Sequence, residues 1–133
     1  MPRTVKPCHV LAAVFYFSGL RTFGRNLERL HKSVYEAQIV CHQLNCFVFR
    51  HRRSLYHSTL LAKTFSVLLA QKIVRRYNGR YNFRYAIVRR RHIQENILRR
   101  FSEEQQETLK GAGEVLREGI RQGNKKALTV SNS

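Results

Sequence analysis

Cys41, His42, Cys46 and His51 stand out first among the side chains that could do chemistry, because thiolates and imidazoles at such short spacings are the raw material of a zinc site. The local pattern argues against one. From Leu27 onward the apolar residues keep a 3-4 rhythm through Leu30, Val34, Ala37, Cys41, Leu44 and Val48, which predicts a helix with a narrow apolar seam. Positions five apart on a helix point to diverging faces, so Cys41 is expected as a buried thiol behaving as a small hydrophobe. With Cys8 the cysteines number three; they cannot pair completely, which disfavours a secreted disulfide scaffold and favours a reduced compartment. Gly111, Gly113, Gly119 and Gly123 lie on or after a helical pattern with no strand before them, so no phosphate-cradling loop is present. Every carboxylate beyond Glu36 falls between residues 95 and 118, where a solvated helix face accounts for it. The sequence therefore reads as a non-enzyme.

Charge is the larger signal. The chain of 133 residues carries 25 Lys and Arg against 8 acidic residues, a formal charge of +17. Residues 1–94 hold 18 of the cations with Glu28 and Glu36 as the only acids, while residues 95–133 hold 7 cations against 6 Glu. So basic a segment repels itself unless it meets an anionic partner: nucleic acid, an acidic protein, or an import machinery that selects cations. Leu20, Phe23, Leu27 and Leu30 recur at helical spacing beside Arg21, Arg25 and Arg29, which predicts an amphipathic, acid-poor helix of mitochondrial presequence type. A secretory signal built on Val10–Phe17 lacks a small-x-small cleavage site, and that apolar run is too short to cross a bilayer.

The elements that would position these groups read as helices. After the seam helix, Ser54 is the expected N-cap of a second helix from Leu55 to about Val74, with a broad apolar face of Leu55, Leu60, Leu61, Phe65, Leu68, Leu69 and Ile73. Tyr77-Asn78-Gly79 reads as the turn that closes it. A third helix is predicted from about Tyr81 to Arg100, burying Phe83, Ala86, Ile87, Ile93, Ile97 and Phe101. Ser102 and Gln105 form a capping box that opens a fourth helix, faced by Leu109, Ala112, Leu116 and Ile120 and stopped at Gly123-Asn124. No segment alternates with period two for long, so the expected fold is all-α.

Tyr81-Asn82-Phe83-Arg84-Tyr85-Ala86, the Arg89-Arg90-Arg91 cluster, Ile93-Gln94-Glu95-Asn96 and the last helix from Thr108 to Gln122 together resemble the LYR-motif family. Within it they are most similar to the mitochondrial adaptors of the cysteine desulfurase in iron-sulfur cluster biogenesis. Leu55-Tyr56-His57 stands where that family has Leu-Tyr-Arg, so His57 replaces the motif arginine, and Ile93 replaces a usual phenylalanine. The resemblance implies a three-helix bundle over residues 52–123, preceded by an N-terminal extension, 1–51, and followed by a flexible tail, 124–133. It implies a matrix protein that binds acyl carrier protein through Leu55, Tyr56, His57, Arg84, Arg89, Arg90 and Arg91. The acyl-phosphopantetheine supplied by that carrier would lie in a cavity of Phe65, Leu68, Leu69, Phe83, Ile87, Ile93, Ile97, Leu109 and Leu116.

A different class of function stays open on the same residues. Arg75, Arg76, Arg80, Arg84 and Arg89 to Arg91 interleave with Tyr77, Tyr81 and Tyr85, the composition of a basic RNA-binding or organellar ribosomal protein. An LYR assembly factor or subunit of a respiratory complex is the remaining alternative. An adaptor would pack the Tyr-Asn-Phe-Arg segment inside its bundle, whereas an RNA surface would expose its tyrosines.

Overall fold

The computed structural model describes residues 5–53, 55–77 and 83–131, with side chains of the last helix described as far as Gln122. It opens on α1 (Pro7–Ser18), whose run of Val10 to Phe15 is buried on every side. A helix apolar all round belongs inside a protein, and α1 is the central rod of the core. Pro7 suits the first helical turn, and Gly19 at φ 70° closes the helix in the left-handed conformation that glycine adopts without strain. Strand β1 (Thr22–Gly24) follows, and then α2 (Leu27–Ala37), capped by the Asn26 side chain accepting from the Glu28 N–H at 3.1 Å. The segment read as a presequence helix is therefore split between a strand and a helix start, and Phe23 is buried in the core.

Beyond α2 the chain runs through a 3-10 turn (His42–Cys46), the hairpin β2 (Arg50–Arg52) and β3 (Leu55–His57), and helix α3 (Thr59–Ala70). Strands β4 (Val74–Tyr77) and β5 (Arg84–Ile87) come next, then a short helical stretch starting as α4 (Arg90–His92) and continuing through a π turn (Ile93–Ile97) and a 3-10 turn (Leu98–Arg100). The last element is the long helix α5 (Glu103–Ser131).

The all-α expectation is thus corrected: two antiparallel sheets accompany the helices. One is the β2–β3 hairpin; the other has the order β1-β5-β4, with Phe23 opposite Tyr85 on one side of β5 and Arg76 opposite it on the other. The predicted second helix begins four residues late, because Leu55-Tyr56-His57 is strand and Ser58, not Ser54, caps α3 by accepting from the Leu61 N–H at 3.1 Å. Ser54, Asn78, Gly79, Arg80, Tyr81 and Asn82 lie outside the described residues. The predicted third helix is broken because Tyr85 and Ile87 point inward and Arg84 outward, a two-residue period that matches a strand and not a helix. The seam helix ends at Ala37; Gln38 then folds its side chain back, Nε2 donating to the carbonyls of Leu44 at 2.9 Å and Phe47 at 2.7 Å. Cys41 and Leu44 nevertheless stay buried, since the looped segment still lies against the core, whereas Val48, the last residue of the expected seam, is turned out to solvent because the helix that would have buried it has ended.

At α5 the expected capping box is formed, with Ser102 N–H donating to Gln105 Oε1 at 2.8 Å and Gln105 N–H to Ser102 Oγ at 3.2 Å. The helix does not stop at Gly123-Asn124 but continues to Ser131. It packs along both α1 and α2. A Cβ on Gly113 would sit 2.7 Å from the backbone of Phe17 and Ser18, and one on Gly119 would strike Ser33, so glycine lets α5 approach each helix closely. Residues 1–51 and 52–123, divided in the sequence reading, share one core that runs from Val10 to Ile120. No helix among the described residues is long and apolar enough to cross a membrane.

Candidate nucleic-acid interface

Helix α3 buries Leu61, Thr64, Phe65 and Leu68 and turns Thr59, Leu60, Lys63, Ser66, Val67 and Ala70 to the outside. Phe65 anchors it, 4.9 Å from the Tyr85 ring, 6.1 Å from Phe23 and 6.4 Å from Phe15. At its end Lys72 adopts φ 60°, its N–H bonding Leu69 and the next N–H, of Ile73, bonding the Leu68 carbonyl at 3.0 Å. This left-handed closure satisfies two orphan carbonyls and sends the chain straight into β4. Arg75, Arg76 and Tyr77 therefore stand exposed on the strand that directly follows α3.

Across the β4–β5 ribbon, the Arg76 guanidinium lies 3.8 Å from the centre of the Phe83 ring, with Arg25 on the same ring at 6.0 Å. Arg84 donates to Thr22 Oγ1 at 3.4 Å. These contacts set the aliphatic stems and leave guanidinium donors turned to solvent at Arg76 and Arg84, both exposed. No Asp or Glu occurs anywhere in residues 37–94, so the cations of α3 and both ribbons have no acidic neighbour on their own elements.

The other ribbon, β2–β3, leads into α3 at its start. Arg50, His51, Arg52 and Arg53 are all exposed, and Arg53 turns the hairpin at φ 59°. Its rings, not a hydrophobic face, fasten it to α2: Tyr56 stacks on Tyr35 at 4.4 Å and on His51 at 4.3 Å, and His57 stacks on His31 at 4.7 Å. His31 is buried, and its Nδ1 accepts the Ser58 N–H at 3.0 Å, tying α2 to the cap of α3. Burial, reinforced by the charge of His57, pushes the His31 pKa down to about 4, so it stands neutral as that acceptor.

The residues expected to bind acyl carrier protein are spread over several elements. Leu55, Tyr56 and His57 lie on β3 and Arg84 on β5. Arg89 donates to the Gln71 carbonyl at 2.9 Å, Arg90 to the Tyr16 carbonyl at 3.1 Å while covering the Tyr16 ring, and Arg91 pairs with Glu95 at 2.9 Å. Two of the three cluster arginines thus fasten α4 to neighbouring backbone. Phe65, Leu68, Ile87, Ile93, Ile97, Leu109 and Leu116, expected to line an acyl cavity, are core residues packed on one another, with Leu69 and Phe83 at the margin. Of the tyrosines expected to stack on bases, Tyr77 is exposed and Tyr85 is buried.

Cys41 is buried as expected; its thiol donates to Gln43 Oε1 at 3.1 Å, and burial raises its pKa. No group of three or more His, Cys, Asp or Glu converges on a metal position among the described residues. The outer face of α3 and the arginines of β2–β3 escaped the sequence reading. The available signals were the absence of acid from 37 to 94 and Asn-Gly set between Val74–Tyr77 and Phe83–Ile87, a hairpin dipeptide that reads equally as a helix stop. No family model, curated protein or solved structure matches the chain.

Proposed function

We propose that this protein binds duplex DNA, laying the outer face of α3 in the major groove with the β4–β5 ribbon against the neighbouring backbone. The observation that carries the reading is an exposed helix face directly joined to an acid-free cationic ribbon, both fixed by one aromatic core. A helix followed by a two-stranded ribbon, with an earlier strand completing the sheet in the order β1-β5-β4, is the connectivity of a winged helix, here with a hairpin inserted before α3. The face has the mixture that base edges call for: Thr59, Ser66 and Lys63 for donor and acceptor groups, Leu60 and Val67 for thymine methyl groups. B-form DNA admits a helix in its major groove, whereas the deep, narrow major groove of A-form RNA does not, which favours DNA over the RNA partner considered from sequence. Arg75, Arg76 and Arg84 supply phosphate contacts, which position the helix without reading bases.

An acyl carrier adaptor finds less support in this geometry, since the motif tripeptide is a strand with its central Tyr56 half-buried, and the side chains expected to line the acyl cavity are mostly packed on one another in the core. The test is fluorescence anisotropy on duplex DNA at rising salt. Wild-type affinity is expected to fall roughly 10³-fold between 50 and 200 mM salt if six or more phosphates are neutralised. Charge reversal at Lys63, Arg75 and Arg76 is expected to abolish binding with the fold intact. Absence of duplex binding at low salt, or native capture of acyl carrier protein that resists high salt, would overturn the proposal.

A further inference from the structure

We infer that the β2–β3 hairpin is a second phosphate-gripping arm, extending the contact with duplex DNA past the opposite end of α3 from the β4–β5 ribbon; this rests on the DNA-binding reading above. Position is the first argument. Strand β3 ends at His57, Ser58 caps α3, and β4 begins four residues after Ala70, so the two ribbons leave opposite ends of one helix. Twelve residues make α3 about 18 Å long at ~1.5 Å per residue, longer than the ~12 Å width of the major groove, so groups at both of its ends reach the flanking backbones.

The way the hairpin is built is the second argument. An isolated two-stranded ribbon is marginal in water, and this one has little apolar surface to hold it: all of β2 is exposed, and Leu55 on β3 is half exposed. Ring stacking takes the place of a buried face. His51 pairs across the hairpin with Tyr56 and stacks on it, Tyr56 continues onto Tyr35, and Tyr35 and His31, one turn apart on α2, both meet Phe49 edge-on. The stack makes the ribbon a defined projection of α2 and α3 without burying its cations.

Chemistry is the third. Arg50, Arg52 and Arg53 are crowded within four residues on an element that has no acid of its own, an arrangement that repels itself and is relieved by a polyanion. Planar guanidinium forks match phosphate oxygens bidentately, and their exposure leaves the donors available. No residue of strands β2 or β3 is among the buried core residues, so the charge of the hairpin is an added contact surface.

The experiment compares the wild type with R50E/R52E/R53E and the neutral R50Q/R52Q/R53Q on a duplex of about 30 bp, by anisotropy across a salt series and by hydroxyl-radical footprinting. Far-UV circular dichroism and thermal melting of each variant establish that α3 and the core persist. An arm contacting two or three phosphates predicts that the glutamine variant binds 10- to 100-fold more weakly, that its log–log salt slope is shallower by about 2 to 3, and that backbone protection is lost on one side only. The charge reversal is expected to deepen the loss. Variants that fold and bind with unchanged affinity, slope and footprint overturn the arm while leaving the α3 reading standing. A wild-type protein that binds no duplex overturns both.

Discussion

The two ribbons beside α3 carry the same kind of charge and are held by different physics. The β4–β5 ribbon belongs to a three-stranded sheet whose inner side chains, Tyr85, Ile87 and Val74, are buried with Phe23 and Phe65 in the core. Among the described residues, strands β2 and β3 contribute no fully buried side chain and rest on stacked rings. A ribbon joined to the core shares the stability of the whole domain, whereas a stacked one can open locally at much lower cost. The two ribbons at the ends of one helix thus differ in what local opening costs.

Cutting into the core side of that comparison has the largest effect. Phe65→Ala removes the ring that α3 sets against Phe15, Phe23 and Tyr85, and is expected to destabilise the protein by about 3–5 kcal/mol, read by denaturant unfolding. The matching cut on the other ribbon is Tyr56→Ala. It is expected to cost only about 1–2 kcal/mol by loss of two stacks, to leave the α5 and sheet amides protected in hydrogen exchange, and to release protection in the hairpin. Equal, global loss of protection would show that the two ribbons are one cooperative unit.

Acid probes the hairpin anchor. The folded His31 pKa of about 4 lies below the ordinary value of 6.5, so between them the unfolded chain binds the proton and the native one does not. The associated stability is present above about pH 6.5 and is lost as pH falls toward 4. The expected loss between pH 7 and 5 is of the order of 1–2 kcal/mol. His31→Gln, which keeps an acceptor for the Ser58 N–H, should flatten that slope in pH-dependent chemical denaturation. The smallest effect is expected at Arg91→Gln, which removes an exposed pair with Glu95 along a single helix: under about 0.5 kcal/mol in melting and little change in DNA affinity. A large loss of binding there would extend the interface onto α4.

Core membership was legible for most of the expected apolar positions, because burial follows local pattern, but not for Val48, Leu55 and Leu60, which are exposed. Leu30, Val34, Ala37, Cys41 and Leu44 are all buried although the helix predicted to carry them ends at Ala37, since a looped segment can present the same apolar residues to the same core. The capping box at Ser102 was legible for a similar reason: its donors and acceptors lie within four residues. Charge segregation, with all acid excluded from 37–94, pointed to a polyanionic partner without naming it.

Tertiary structure decided the rest. Strands of three and four residues are too short to show an alternating pattern, and β5 is a strand because Thr22–Gly24, far back in the sequence, supplies one row of its hydrogen bonds. The same non-local pairing took Arg84 to Ile87 out of a helix and placed Arg76 over the Phe83 ring and Arg84 against Thr22. Likewise Arg89 and Arg90 look like a patch on paper and serve as ties to the carbonyls of Gln71 and Tyr16, because a guanidinium near a carbonyl lone pair gains a hydrogen bond that sequence alone does not reveal. Composition determined that a small, strongly cationic protein with one buried core would form; which cations face outward together depended on where distant segments met.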